Sequence, residues 1–91
     1  MEDLLAIIRR RYSLAVLRVI HATRRCRYQD VADALPDASS STLAETLRAL
    51  EAAQLVRRDA TTPARPVYAL SASGEKLLSR LRRLLEDVQA S

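Results

Sequence analysis

The sequence is poor in the residues that build disulfides, metal sites and phosphate-binding loops. It contains one cysteine, Cys26, one histidine, His21, and one glycine among its 91 residues. A lone cysteine excludes an internal disulfide framework and a cysteine zinc site, and a lone histidine excludes a histidine-rich metal site. No glycine-rich loop and no Ser–His–Asp order of catalytic groups is present. We therefore expect no metal, no cofactor and no enzymatic activity.

Long apolar runs are also missing. No stretch approaches the roughly 20 apolar residues that a membrane-spanning helix needs. The opening residues, Met1 to Leu5, lack the basic start of a signal peptide, so we expect a cytoplasmic protein with no membrane partner. The composition is 48% hydrophobic and 29% charged. At this length these values predict one small domain over residues 1–91 with a thin core.

Lysine is almost absent, because every basic residue except Lys76 is arginine. The net charge is nevertheless +4, with a pI near 10.0. A basic protein favours a polyanionic partner such as DNA, RNA or a membrane surface. Many arginines and alanines are also typical of a GC-rich genome. The placement of the charges is therefore more informative than their total.

The middle of the chain predicts a helix, a short turn and a second helix over residues 28–54. Tyr28, Val31 and Leu35 repeat at helical spacing, and Pro36 ends the first helix because it pushes the preceding residue out of the helical region. Ser39 or Ser40 is the best N-cap for the second helix.

The second helix, over about residues 40–53, has one clearly apolar side. Leu43, Leu47 and Leu50 form a row that we expect to face the core. Glu45 and Arg48 point away from that row, as does the serine-rich beginning of the helix. The sequence alone leaves open whether this opposite side meets solvent or DNA.

Two short strands and a final helix follow. The strands cover about residues 55–59 and 66–70, and the loop between them carries Arg65 near its tip. Ser71 is a plausible N-cap for a helix over residues 71–89. This order predicts a mainly α fold with a small β-hairpin wing (α+β), the winged helix-turn-helix. Residues 28–54 would form the helix-turn-helix, and residues 55–70 the wing.

The final helix has more apolar residues than one seam needs. Leu77, Leu81, Leu84 and Val88 step by four, three and four, while Leu78 and Leu85 are seven apart. One column can pack on its own domain and the other on a second copy. We expect a homodimer made by this helix with residues 3–9. The expected interface residues are Leu4, Leu5, Ile8, Leu78, Leu81, Leu85 and Val88.

The order and spacing of these segments resemble the HxlR-type winged-helix regulators, distant relatives of the MarR and PadR groups. The matching pieces span about residues 12–85 and include Tyr12–Ile20, Tyr28–Val31, Thr42–Glu51 and Val67–Ser71 with Gly74. The resemblance implies a dimeric transcription factor that binds inverted-repeat operators through the second helix of the motif and the wing. Family members often have glycine where Gln54 stands, so Gln54 would have to hold a left-handed helix cap.

The candidate DNA contacts lie in the expected recognition helix, in the wing and, for Arg27, just before the first helix of the motif, where the resemblance implies that backbone phosphates pass. Hydroxyl groups near a helix N-terminus can donate to phosphates or base edges, and arginine can reach guanine or phosphate. Glu45 can accept a hydrogen bond from cytosine but repels phosphates. The candidates are Arg27, Ser39, Ser40, Ser41, Thr42, Glu45, Arg48, Arg58 and Arg65.

Two interpretations stay open at this stage. The first is a regulator that binds double-stranded DNA as a homodimer, with an unknown small-molecule effector. The second is a winged-helix module that dimerises or docks on a protein and binds DNA weakly or not at all. Glu45 favours the module, and the arginines beside the motif favour the regulator. Cys26 is a possible redox residue, because Arg24, Arg25 and Arg27 would favour its thiolate. A thiol with no role is the stronger alternative.

Overall fold

The computed structural model of the protein describes residues 11–60 and 65–90. In chain order its elements are α1 Ser13–Ala22, β1 Cys26–Arg27, α2 Tyr28–Ala34, α3 Ser40–Ala52, β2 Val56–Asp59, β3 Val67–Leu70 and α4 Ala72–Ala90. This is the winged helix-turn-helix that the sequence predicts. The three helices and the hairpin that the sequence predicts over residues 28–89 agree with their expected positions to within a few residues.

The first helix, α1, lies at the centre of the molecule. Val16, Leu17 and Ile20 are almost completely buried, and the helix packs against α2, α3, α4 and β3. Tyr12 holds the N-cap position, and Ser13 is the first helical residue. Serine is a favoured N-cap residue, so the sequence predicts Ser13 as the cap of this helix. The structure shows that this prediction is wrong. The Ser13 hydroxyl is buried and has no hydrogen-bond partner among the described residues.

Polar side chains cap the N-terminal starts of α2 and α3. The Asp30 carboxylate accepts a hydrogen bond from the Arg27 backbone N–H at 2.9 Å, which satisfies the start of α2. Ser39 caps α3, because its hydroxyl oxygen accepts from the Thr42 N–H at 3.2 Å. Ser39 was one of the two N-cap candidates, so that prediction is confirmed.

The end of α3 is a Schellman motif without glycine. The Gln54 N–H donates to the Glu51 carbonyl at 2.9 Å, and the Leu55 N–H donates to the Leu50 carbonyl at 3.0 Å. Gln54 has a φ of 61°, in the left-handed region. Leu50 and Leu55 are both buried and supply the apolar contact that accompanies this motif. The expectation that Gln54 holds a left-handed cap is confirmed.

A three-stranded antiparallel sheet with order β1–β3–β2 forms the wing and its base. In the hairpin, Val56 pairs with Leu70 and Arg58 with Tyr68. The strand β1 pairs with β3 through Cys26 and Tyr68. Residues 22–27 are mostly polar and by themselves predict a connector. The structure corrects this prediction, because Cys26 and Arg27 form a strand whose pairing partner lies far along the chain.

The core lies between α1, the helix-turn-helix and the inner face of the sheet. Its buried side chains are Val16, Leu17, Ile20, Cys26, Val31, Leu43, Leu47, Leu50, Leu55, Val56 and Tyr68. The leucine row of α3 therefore faces inward, as its spacing predicts. No helix among the described residues is long and apolar enough to cross a membrane.

Candidate nucleic-acid interface

The beginning of α3 is exposed and polar. Ser39, Ser40 and Ser41 are all exposed, and Thr42 is half-buried. The Ser39 hydroxyl serves its own helix, because it accepts from the Thr42 N–H and lies 2.9 Å from Thr42 Oγ1. Tyr28 of α2 donates its hydroxyl to the Ser40 carbonyl at 3.3 Å, which ties the two helices of the motif together. The Ser40 and Ser41 side chains are left to face outward at the positive end of the helix dipole.

Glu45 and Arg48 continue the same exposed side of α3. They lie four and seven residues after Ser41, which places the three residues along one face of the helix, and both are exposed. The opposite face carries Leu43 and Leu47, which are 1% and 2% exposed. The buried row therefore fixes which side chains α3 can offer to a partner. We call the side with Ser41, Glu45 and Arg48 the offered face of α3, and it holds one acidic and one basic group.

A groove of about 560 Å³ separates α3 from the wing. Arg58 on β2 extends into it and pairs with Glu51 of α3, with Nε and Oε1 3.5 Å apart. Burial, followed by the charge of Glu51, raises the pKa of Tyr68 on the neighbouring strand. The lining residues are Tyr28, Ala44, Leu47, Arg48, Glu51, Arg58 and Tyr68.

Glu51 is the member of this groove that the sequence reading missed. It is half-buried in the last turn of α3 and holds Arg58, a predicted DNA contact. Its spacing of three residues from Arg48 places it beside the offered face of α3, which is the one signal that could have pointed to it. The ion pair neutralises part of the positive charge that a wing arginine would present.

The remaining predicted contacts lie apart from the groove. Arg27 pairs with Val67 and Arg58 with Tyr68 on the same central strand, so the two arginines project from opposite faces of the sheet. Arg65 is exposed just before β3. The structure therefore brings Arg48 and Arg58 together beside α3 and leaves Arg27 on the outer face.

Cys26 is buried, with no exposed surface. Burial, and secondarily the charge of Asp30, raises the pKa of its thiol from 9.0 to about 11. The expectation that neighbouring arginines favour the thiolate is wrong, because Arg24 and Arg25 are exposed and water screens them. A buried neutral thiol is a poor nucleophile. The structure thus gives no support to a redox role for Cys26.

The last helix leaves a large apolar surface uncovered. Leu84, Leu85 and Val88 are 60%, 55% and 67% exposed, and Leu81 is half-buried. Leu78 differs from the expectation, since it is 3% exposed and unavailable to a second copy. Leu4, Leu5 and Ile8, the other expected interface residues, lie outside the described residues.

No metal site is visible in the described parts of the chain, because no three His, Cys, Asp or Glu side chains come together there.

A second groove, of about 520 Å³, runs between α1 and α4. It is lined by Leu14, Leu78, Leu81 and Leu85 with arginines at its rim.

Comparison with known proteins places this geometry in a family. The model of the HxlR-like helix-turn-helix family matches residues 7–90. A possible HxlR family transcriptional factor from Thermoplasma volcanium is 23% identical, with a TM-score of 0.82 over 98% of this chain and 81% of that chain. The reduced form of the transcriptional regulator YodB from B. subtilis is 24% identical, with a TM-score of 0.79 over 94% and 85%.

One similar structure contains DNA. The S. aureus MepR–DNA complex is 25% identical and has a TM-score of 0.72, over 88% of this chain and 61% of that chain. No curated protein matches the sequence significantly.

Proposed function

The chain belongs to the HxlR-like helix-turn-helix family, and from that membership we propose that it is a transcriptional regulator that binds double-stranded DNA as a homodimer. Residues 1–91 act as one winged-helix unit. The recognition helix α3 enters the major groove, and the wing follows the neighbouring backbone. The MepR–DNA complex supports this proposal, because its protein shares the fold and binds DNA.

The observation that carries the proposal is the orientation of α3. Its leucine row is buried, and the serines at its beginning are exposed in the described part of the chain. A helix that contacts base edges with its first turns needs that arrangement. Ser40, Ser41 and Thr42 would donate to phosphates or bases, and Arg48 would reach guanine or phosphate.

The apolar surface of α4 supports the dimer. Leu84, Leu85 and Val88 lie within one helical turn of each other and are more than half exposed. A monomer rarely leaves such a patch open to water. Two copies joined there would share a twofold axis and read an inverted repeat, with recognition helices about 34 Å apart.

The test is selection of bound duplexes from a random pool, together with a titration of the DNA upstream of the protein's own coding region. A dimer that neutralises about eight phosphates gives a slope of log affinity against log salt near −7. Affinity should therefore fall steeply between about 50 and 200 mM salt. A protein that is folded yet binds no duplex at the lower salt concentration would refute the proposal.

Arg48→Ala tests whether α3 makes the contact. We expect a loss of about 1–3 kcal/mol on the selected duplex if Arg48 contacts a base. Arg80→Ala is the matched control, because Arg80 is also exposed but belongs to α4. Equal losses in the two variants would mean that net charge, and not α3, governs binding.

A protein-docking module is the second candidate function. Glu45 places a negative charge on the offered face of α3, and Glu51 neutralises Arg58. Both features weaken attraction to phosphates. If the module hypothesis holds, the protein forms dimers of unchanged mass yet shows no salt-dependent DNA binding.

A further inference from the structure

The end of the recognition helix α3 lies next to the start of α4. The turn that ends α3 contains Gln54 and Leu55, and α4 begins just after Ser71. The pairing of β2 with β3 brings these ends together, since Val56 pairs with Leu70 and the next bond joins the Ser71 N–H to the Leu55 carbonyl at 3.0 Å. We call Gln54, Leu55, Ser71 and Gly74 the junction.

The Ser71 hydroxyl makes two hydrogen bonds in the junction, one toward each helix. Its oxygen accepts from the Gly74 N–H at 3.0 Å, which caps α4. Its hydrogen is donated to the Gln54 carbonyl at 2.6 Å, which lies just beyond the end of α3. One side chain therefore ties the end of the recognition helix to the start of the helix that carries the exposed apolar surface.

The junction has little freedom to move. Gly74 is buried against Leu55, and a Cβ added to Gly74 would overlap the Leu55 carbonyl group. Gln54 holds a φ of 61°, which only a narrow left-handed region allows. Across this junction the Ser71 hydroxyl bridge adds a side-chain link to the backbone hydrogen bond from the Ser71 N–H to the Leu55 carbonyl.

We propose that Ser71 is a positioning residue for DNA recognition. Its bridge to Gln54 fixes the angle between α3 and α4, and so sets the half-site spacing that the dimer reads. This inference rests on the proposed function, because it assumes that α4 joins two copies and α3 contacts DNA. Packing of α4 on α1 also orients the two helices. The Ser71–Gln54 hydrogen bond lies instead at the end of the β2–β3 hairpin, where it limits rotation of α4 relative to α3.

Two substitutions separate the bridge from the helix cap. Ser71→Asp keeps an acceptor for the Gly74 N–H, and aspartate caps helices as well as serine does. An ionised aspartate has no hydrogen to donate to the Gln54 carbonyl. Ser71→Thr keeps both donor and acceptor. Ser73→Ala is the control for a serine lost from the same turn, since Ser73 is exposed.

The readout is the ratio of affinities for two duplexes, the selected sequence and the same sequence with one base pair inserted between its half-sites. A uniform electrostatic effect of the new carboxylate cancels in this ratio. One base pair shifts a half-site by about 3.4 Å and rotates it by about 35°. We expect wild type, Ser71→Thr and Ser73→Ala to bind the longer duplex about tenfold more weakly, and Ser71→Asp to lose most of that discrimination.

Amide hydrogen exchange provides a readout that needs no DNA. In Ser71→Asp, the N–H groups of Ser71 and Leu55 should exchange at least several-fold faster than in wild type, with unchanged exchange in α1. Wild-type discrimination and wild-type exchange in Ser71→Asp would overturn the inference. A wild-type protein that binds no duplex would refute the proposed function instead, and the exchange rates would still decide whether the bridge couples the helices.

Discussion

At the scale of single residues, burial decides the chemistry of Cys26. The thiol has no exposed surface, and its pKa of about 11 keeps it neutral at physiological pH. The unfolded chain ionises this thiol above its ordinary pKa of 9.0. The neutral form is therefore favoured by folding, and the stabilisation is complete below pH 9 and is lost as the pH rises toward 11.

We predict that the free energy of unfolding falls by about 2 kcal/mol between pH 9 and 11 because of Cys26. Urea unfolding at several pH values measures this slope. Cys26→Ala should flatten it, while the raised pKa of Tyr68 leaves a smaller slope of the same sign. Rapid alkylation of native Cys26 at pH 8, at the rate seen in urea, would contradict this account.

At the scale of the elements, the end of α3 carries a conformational cost. Gln54 has a positive φ, which glycine adopts without steric penalty. We predict that Gln54→Gly stabilises the protein by about 0.5–1 kcal/mol, because relief of the strained backbone exceeds the greater entropy of the unfolded chain. Chemical denaturation measures the change. Ala53→Gly is the control and should destabilise, since Ala53 has an ordinary φ of −82°.

At the start of α4 the chain already has glycine, and there the fold requires it. Gly74 contacts the Leu55 backbone so closely that no side chain fits between them. We predict that Gly74→Ala destabilises the protein by about 3 kcal/mol or more, because a backbone carbonyl cannot rotate away as a side chain can. The midpoint of thermal unfolding should fall by many degrees. Ser73→Ala, one residue earlier on the exposed side, should leave the midpoint within a few degrees.

The elements show which parts of this fold a sequence reveals. Local signals were sufficient for α3, where Ser39 caps the helix and the leucine row gives its inward face. The strand β1 was missed because only its pairing with Tyr68, some forty residues away, makes it a strand. The Ser71 bridge was missed for the same reason, because the hairpin brings Ser71 back to Gln54. The Glu51–Arg58 pair joins residues only seven apart, but it depends on the turn at Gln54 that brings β2 back beside α3.

At the scale of the whole molecule, the exposed polar side of α3 and the exposed apolar surface of α4 belong to different helices. The described part of the chain measures 46 Å along its longest axis, and α4 would contribute about 28 Å of helix. The exposed leucines Leu84 and Leu85 lie in the second half of α4, whereas Glu45 and Arg48 lie on α3, a different helix. A contact between two copies through these leucines therefore does not itself use the exposed side of α3.

The final prediction concerns that partner copy. Leu85→Glu combined with Val88→Glu places two charges on the exposed apolar surface, and burying them in an interface would cost several kcal/mol. We expect the solution mass to fall from about twice to once the chain mass of 10.2 kDa. Arg83→Glu is the control, since Arg83 lies on the opposite side of the helix and should leave the mass unchanged.

DNA binding by the same variant links mass to recognition. A monomer that contacts one half-site neutralises about half the phosphates, so its salt slope should drop from near −7 to about −3.5. Its fold should survive, because Leu85 and Val88 are exposed and contribute little to the core of their own chain. An unchanged mass would show that the two copies meet elsewhere. A reduced mass with an unchanged salt slope would show that one copy makes every phosphate contact, and that α4 has no part in operator recognition.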